Sequence, residues 1–180
     1  MKELKLSDIR VEPSHTISKG LWVGYASDFA EEKYGNIDFE VFLPSKGINL
    51  QRDFVWDLFQ KQQLIISLLK GIKIPHLSII QYSPNEQERV YKIIDGKQRL
   101  STLISFYRNE FSIEWEGENY YYQELDRKAQ KEIELFGVQA DVMYEWWDDM
   151  ISDEDKIKWF EMINFLGTPQ DQQHLNKLKQ

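Results

Sequence analysis

The chain has 180 residues, 42% hydrophobic and 14% aromatic, with no cysteine and a net charge of −8. That is enough apolar matter for one domain with a proper core, and the missing cysteine excludes disulfides, Cys-ligated zinc and thiol catalysis. The charge is uneven: residues 51–109 carry 9 basic and 5 acidic groups, and residues 110–162 carry 5 basic and 16 acidic. The whole chain is therefore a poor non-specific DNA binder, and an anion is welcome only in the first of these two segments.

MKELKLSDIRVEPSH at the N-terminus lacks the apolar core of a signal peptide. No run of about 18 apolar residues exists to span a membrane. With the absence of cysteine, these features lead to the expectation of a cytoplasmic protein with no membrane partner.

In chain order, a short helix is expected between Tyr25 and Tyr34, and IDFEVFL (Ile37–Leu43) alternates as a strand. From Val55 to Lys70 the apolar residues Leu58, Ile65, Leu68 and Leu69 recur at helical spacing. Asp53 or Asp57 suits the start of that helix and Gly71 its end. HLSIIQY (His76–Tyr82) and RVYKIID (Arg89–Asp95) read as antiparallel strands around the polar turn SPNEQE. After Gly96, a helix carries Leu100, Leu103, Ile104 and Tyr107 on one face. FSIEW and NYYYQEL suggest a hairpin around Glu116-Gly117, followed by a helix near Glu124–Phe136. VQADVMYEW (Val138–Trp146) reads as a strand and Asp153 to Leu166 as a helix, stopped by Gly167-Thr168-Pro169 and followed by a polar tail helix. No repeat or flexible linker interrupts the chain. It reads as one domain over 1–180, with a motif region at 48–110 and an acidic extension at 111–180.

Three stretches carry chemistry. In "DGKQR", Gly96 can take a positive φ and admit an anion to the backbone, and the free N–H groups of the following helix add attraction. Arg99 offers forked donors for phosphate oxygens and Lys97 a point charge. Gln98 donates or accepts, and Asp95 suits a metal, a water or the orientation of Arg99. Ser101 and Thr102 follow in the first turns. The competing reading is a helix capped by Asp95 with Lys97 and Arg99 merely exposed, and the residues alone leave both standing. In "QRDFVW", Gln51 and Arg52 precede a helix. Arg52 either converges with Arg99 on one anion, or stacks on Trp56 or pairs with Asp57. In "WFEMINFLGTP", Asn164 sits on an apolar helix, either as a site residue or satisfied by backbone.

Other constellations are missing. His15, His76 and His174 have no metal-ligand spacing, and no GxxxxGK[ST] or GxGxxG occurs. The acids at Asp148, Asp149, Asp153, Glu154 and Asp155 lack a calcium-loop order and read as a solvated loop.

In that order, "INLQRDFVWDLFQKQQLIISLLKGIKIPHLSII", "YKIIDGKQRLSTLISFY" and "FEMINFLGTP" resemble the N-terminal domain of GmrSD-type modification-dependent restriction enzymes. That family is marked by QR-x-x-x-W, G-x-x-I-P, DGQQR and F-x-x-x-N with G-T-P. The resemblance is close over 48–110 and looser over 157–175. It implies an α+β, ParB/sulfiredoxin-like fold: a small mixed sheet flanked by helices, with additional C-terminal helices. It also implies nucleoside triphosphate binding with Mg²⁺, and hydrolysis linked to control of DNA cleavage in anti-phage systems. By motif it implicates Gln51, Arg52, Asp95, Gly96, Gln98, Arg99 and Asn164. Lys97 departs from the family's Gln. Catalytic roles are expected for Asp95, Gln98 and Arg99, with Asp95 as the metal ligand. Phosphate contacts are expected from Gln51, Arg52, Gly96, Lys97, Arg99, Ser101, Thr102 and Asn164. The implied partners are nucleotide, DNA, and a nuclease or other defence protein. No His-rich nuclease motif is seen in the chain. Two other readings remain at this point: a DNA-acting nickase or sensor of modified DNA, and a non-catalytic interaction module docking through its acidic, aromatic 110–162 segment.

Overall fold

The computed structural model describes residues 15–33 and 35–165. The fold is α+β. Its elements in chain order are β1 (Ser18–Tyr25), α1 (Ala26–Ala30), β2 (Asn36–Asp38), β3 (Phe42–Leu43), β4 (Ile48–Asn49), α2 (Leu58–Leu69), β5 (Leu77–Ser83), β6 (Val90–Asp95), α3 (Lys97–Tyr107), β7 (Ile113–Trp115), β8 (Glu118–Tyr120), a 3-10 turn (Tyr122–Glu124), α4 (Arg127–Glu134), β9 (Gly137–Trp146) and α5 (Asp153–Phe165). Five strands form one mixed sheet in the order β1-β9-β5-β6-β2. β5 runs antiparallel to β6, as expected from the turn between them, and parallel to β9.

Local chemistry sets these boundaries. The strand expected over Ile37–Leu43 is broken in two. Asp38 turns its carboxylate back to accept from the backbone N–H groups of Glu40 and Val41, both at 2.9 Å, and Val41 sits at φ 50°. This Asx-type turn competes with strand pairing. α2 begins three residues later than its periodicity suggests, because Asp57 caps it. Asp57 accepts from Gln60 N–H at 2.8 Å while the Gln60 amide oxygen accepts from Asp57 N–H at 3.0 Å. Residues 52–57 stay extended. The hairpin turns at Glu116 (φ 52°) and Gly117 (φ 84°) as expected, the left-handed pair that a two-residue hairpin loop needs. β1 was not legible in the sequence. The Gly167-Thr168-Pro169 stop, the tail helix and His174 lie outside the described residues.

The sheet is covered on both faces. α1 and α3 pack on one face over Leu77, Ile79, Ile93, Ala140 and Val142. The β3–β4 ribbon and α5 cover the other, over Ile80, Ile94 and Met143. A satellite core joins α2, α3, α4 and the hairpin through Ile65, Leu103, Phe106, Ile113 and Ile133. At the end of β9, the fully buried Glu145 pairs with Lys92 and with Lys156, 3.2 Å away on α5. It also accepts from Ile151 N–H, so the charge that anchors α5 to the sheet is fully partnered.

Candidate nucleotide site

The register of β5 sets the stage. Ser78 pairs with Asp95 on one side and with Asp141 on the other, with an irregularity in the β5–β6 ladder just there. β6 therefore ends level with the start of β5 and the middle of β9, and the chain must turn sharply into α3. Gly96 makes that turn at φ 100° as the N-cap of α3, with no side-chain cap. A Cβ at this position would stand 2.2 Å from Leu77 Cδ2 and 3.3 Å from an Arg99 terminal nitrogen. Glycine is required here both for its backbone angle and for close approach.

Neither sequence reading of the turn describes it fully. Asp95 does not cap the helix; its carboxylate pairs with Arg99. The Arg99 Nη1 also donates to the carbonyls of Pro75 at 2.8 Å and His76 at 3.2 Å. Three of the five guanidinium N–H groups are thus spent, and among the described residues two remain.

Lys97, expected as a point charge for phosphate, is buried at 7% exposure. Its ammonium pairs with Glu40 at 2.7 Å and donates to the Arg52 carbonyl at 2.9 Å. Burial, one carboxylate partner and one carbonyl partner make it a strut. Gln98 accepts from the N–H groups of Val55 and Trp56 at 3.0 and 3.1 Å and donates to the Asp53 carbonyl at 3.3 Å. Buried Gln51 donates to the carbonyls of Ile93 and Ile94 at 2.8 and 2.5 Å. Gln51, expected as a phosphate contact, and Gln98, expected as a catalytic group, spend their amides stitching the QRDFVW segment to the DGKQR turn. This explains why the two motifs occur together.

Arg52 is held by its backbone in that seam. Among the described residues no hydrogen bond or ion pair falls on its half-buried guanidinium, so neither the pairing with Asp57 nor a shared partner with Arg99 is formed. Thr102 is fully buried, its hydroxyl without a hydrogen-bond partner, and faces the core. Ser101 is half-buried at the second turn of α3. Asn164 donates to the Phe160 carbonyl one turn back on α5 at 2.7 Å, the backbone satisfaction foreseen as its alternative.

A cavity of about 220 Å³ opens beside Arg99, with Lys73 and Gln139 on its polar side and Leu77, Leu100 and Phe136 on its apolar side. Lys73 was missed in the sequence, although it lies inside the G-x-x-I-P stretch. His76 was set aside for lacking metal spacing. Its Nδ1 stands 4.0 Å from Asp141, whose carboxylate also accepts from Gly20 N–H at 2.8 Å. Only the β5–β9 pairing, across more than 60 residues, brings that pair together. Among the described residues no group of three or more His, Cys, Asp or Glu side chains is arranged to hold a metal ion.

The family model for the GmrSD restriction endonuclease N-terminal domain matches residues 42–179. The chain belongs to that family. No curated protein and no solved structure matches it. The match runs from β3 through the whole DGKQR region and past α5, so the GmrSD-type domain extends well beyond the two motifs and includes the acidic hairpin. It marks the chain as a module of the restriction-system kind. No helix among the described residues is long and apolar enough to cross a membrane.

Proposed function

We propose that this GmrSD-type domain binds a nucleoside triphosphate, as its magnesium complex, at the β6–α3 turn and hydrolyses it to control a restriction-system partner. The observation that carries this reading is the Arg99 fork. It is held rigid by Asp95 and two carbonyls, has two N–H groups unspent, and lines a cavity that Lys73 also lines. Preorganised donors of this kind favour phosphate oxygens over water. The first N–H groups of α3, uncapped by any side chain, and the unspent Arg52 guanidinium add to the same attraction. The cavity is smaller than the roughly 300–1,000 Å³ of a typical ligand pocket, so it suits one part of the nucleotide.

Magnesium in nucleotide sites usually takes one or two protein carboxylates plus phosphate oxygens and waters. Asp95 fits that role through Oδ1, on which no hydrogen bond falls among the described residues, and the ion would arrive with its nucleotide. It would neutralise phosphate charge. Arg99 and Arg52 would stabilise the charge that develops on the transferred phosphoryl group, while Gln51, Lys97 and Gln98 hold Arg52 against the turn. Family membership supports DNA or a nuclease as the macromolecular partner of such a module.

Titration of the purified chain with ATP, GTP, CTP and UTP, each with Mg²⁺, should give saturable binding below millimolar nucleotide. Arg99→Ala should weaken it about 10- to 100-fold, since a charge-assisted hydrogen bond contributes about 1.5–3 kcal/mol. Arg52→Ala should weaken it without lowering the melting temperature. Failure of all four nucleotides, or unchanged binding by Arg99→Ala, overturns the proposal.

A further inference from the structure

On the far side of α2 from the nucleotide turn lies a second concavity, of about 490 Å³. Ile66 and Leu69 of α2, Ile113, Trp115 and Tyr120 of the hairpin, and Leu125 before α4 line it. It is open: Trp115 is 47% exposed and Tyr120 36%. An apolar concavity left open beside a core can bury the apolar side chains of a partner.

Its lining carries two carboxylates, Glu124 and Asp126, against one ammonium, Lys70. From Glu110 to Asp126 the chain carries six carboxylates and no Lys or Arg. Two of them stand at the rim in fixed positions. Glu124 accepts from Tyr121 N–H at 2.8 Å and Asp126 from Ala129 N–H at 2.7 Å, and each keeps acceptor capacity for a further donor. The Trp115 ring already attracts a cation of the protein's own, with Lys70 Nζ 5.4 Å from its centroid. An apolar floor, an aromatic wall that holds ammonium groups and a rim of carboxylates complement one chemistry. Nucleic acid is excluded by the same six charges.

We infer that this groove docks a basic amphipathic helix of a partner protein, with apolar side chains at i, i+3/i+4 and i+7 in the groove and Lys or Arg against the hairpin acids. The floor is built from helix side chains of α2 and the approach to α4, which favours helix-in-groove packing over strand addition. The inference is independent of the nucleotide reading, since none of these residues touches the β6–α3 turn.

The test uses the full chain and three labelled model peptides of roughly 14 residues, long enough to span i to i+7. The first is a Leu/Lys amphipathic helix, the second has Lys replaced by Glu, and the third has Leu replaced by Ser. Fluorescence anisotropy should show binding of the Leu/Lys peptide alone. Trp115→Ala should weaken it at least about tenfold, as removal of a central aromatic anchor does. Glu118→Lys, at an exposed hairpin position whose side chain makes no hydrogen bond or ion pair among the described residues, should weaken it several-fold and reduce its salt dependence. Both variants should bind nucleotide as the parent does. Equal binding of the Glu peptide, equal binding of the Ser peptide, or indifference to both substitutions overturns the inference. So does self-association of the free chain that Trp115→Ala abolishes, which would make a second copy the occupant.

Discussion

One added methyl group at Gly96 meets two obstacles. The left-handed angle costs a side-chain-bearing residue about 1–2 kcal/mol, and Leu77, a buried core residue, must move to relieve a 2.2 Å contact. Gly96→Ala should lower stability by about 2–4 kcal/mol in chemical denaturation, and it should displace Arg99 from Asp95. Lys97 belongs to the same turn but fails differently. Lys97→Ala leaves the Arg52 carbonyl and the Glu40 carboxylate without their shared donor. Because Glu40 is half exposed, the expected loss is about 2 kcal/mol, below the roughly 3–5 kcal/mol of a fully buried broken pair. Denaturant midpoints of the two variants check both figures. At this scale the sequence singled out these residues but not the partners that several of them have. A Lys or Gln beside an Arg reads as ligand-binding in one dimension. Only the fold shows that Lys97, Gln98 and Gln51 have backbone carbonyls and N–H groups of distant segments as partners.

At the scale of elements, short acid-centred clusters hold the helices to their neighbours. Glu134 at the end of α4 accepts from Arg127 at 2.6 Å and from the Tyr122 hydroxyl at 2.6 Å. Arg127, and then Tyr122, hold its carboxyl below the ordinary value of 4.5. Glu31, just after α1, takes the Tyr107 hydroxyl of α3 at 2.5 Å, and that phenol is pushed up to about 12. For Glu134 the unfolded chain binds its proton at a higher pH than the folded one does. The stabilisation is therefore present above the ordinary value and drains away as the pH falls through it towards the lowered one. A melting-temperature profile through mild acid should drop below about pH 4.5, and Glu134→Gln should flatten that drop. Most helices and the three inner strands of the sheet were legible as elements, because their apolar patterns are strong. The misreadings came where a side chain overrules periodicity: Asp38 breaks a strand and Asp57 delays a helix. β1 was illegible because it is held mainly by its neighbour β9, with a glycine at two of its eight positions.

On the scale of the whole molecule, the sheet divides two kinds of work. Its margin at Asp95 carries the turn with Arg99 and Arg52, in the part of the chain with the largest surplus of positive charge. The satellite core beyond α2 carries the acidic groove. The α+β class and the family were both legible from the motif order. The charge partition separated the basic motif region from the acidic hairpin, because like charges that share a surface are close in sequence here. What could not be read was the meeting of His76 with Asp141, or of Arg99 with Pro75 and His76, since these depend on strand order.

That strand order has a consequence in time. β9, the last strand of the sheet to be synthesised among the described residues, lies between β1, the first, and β5. While a ribosome is still making residues 1–136, β1 has no neighbour and β5 lacks one of its two. The helices and the β5–β6 hairpin can form as they emerge, but the sheet has to be zipped afterwards, from the outside inward. Such distant pairings are the slow kind, so the nascent chain must be kept from sticking to others until β9 has been made.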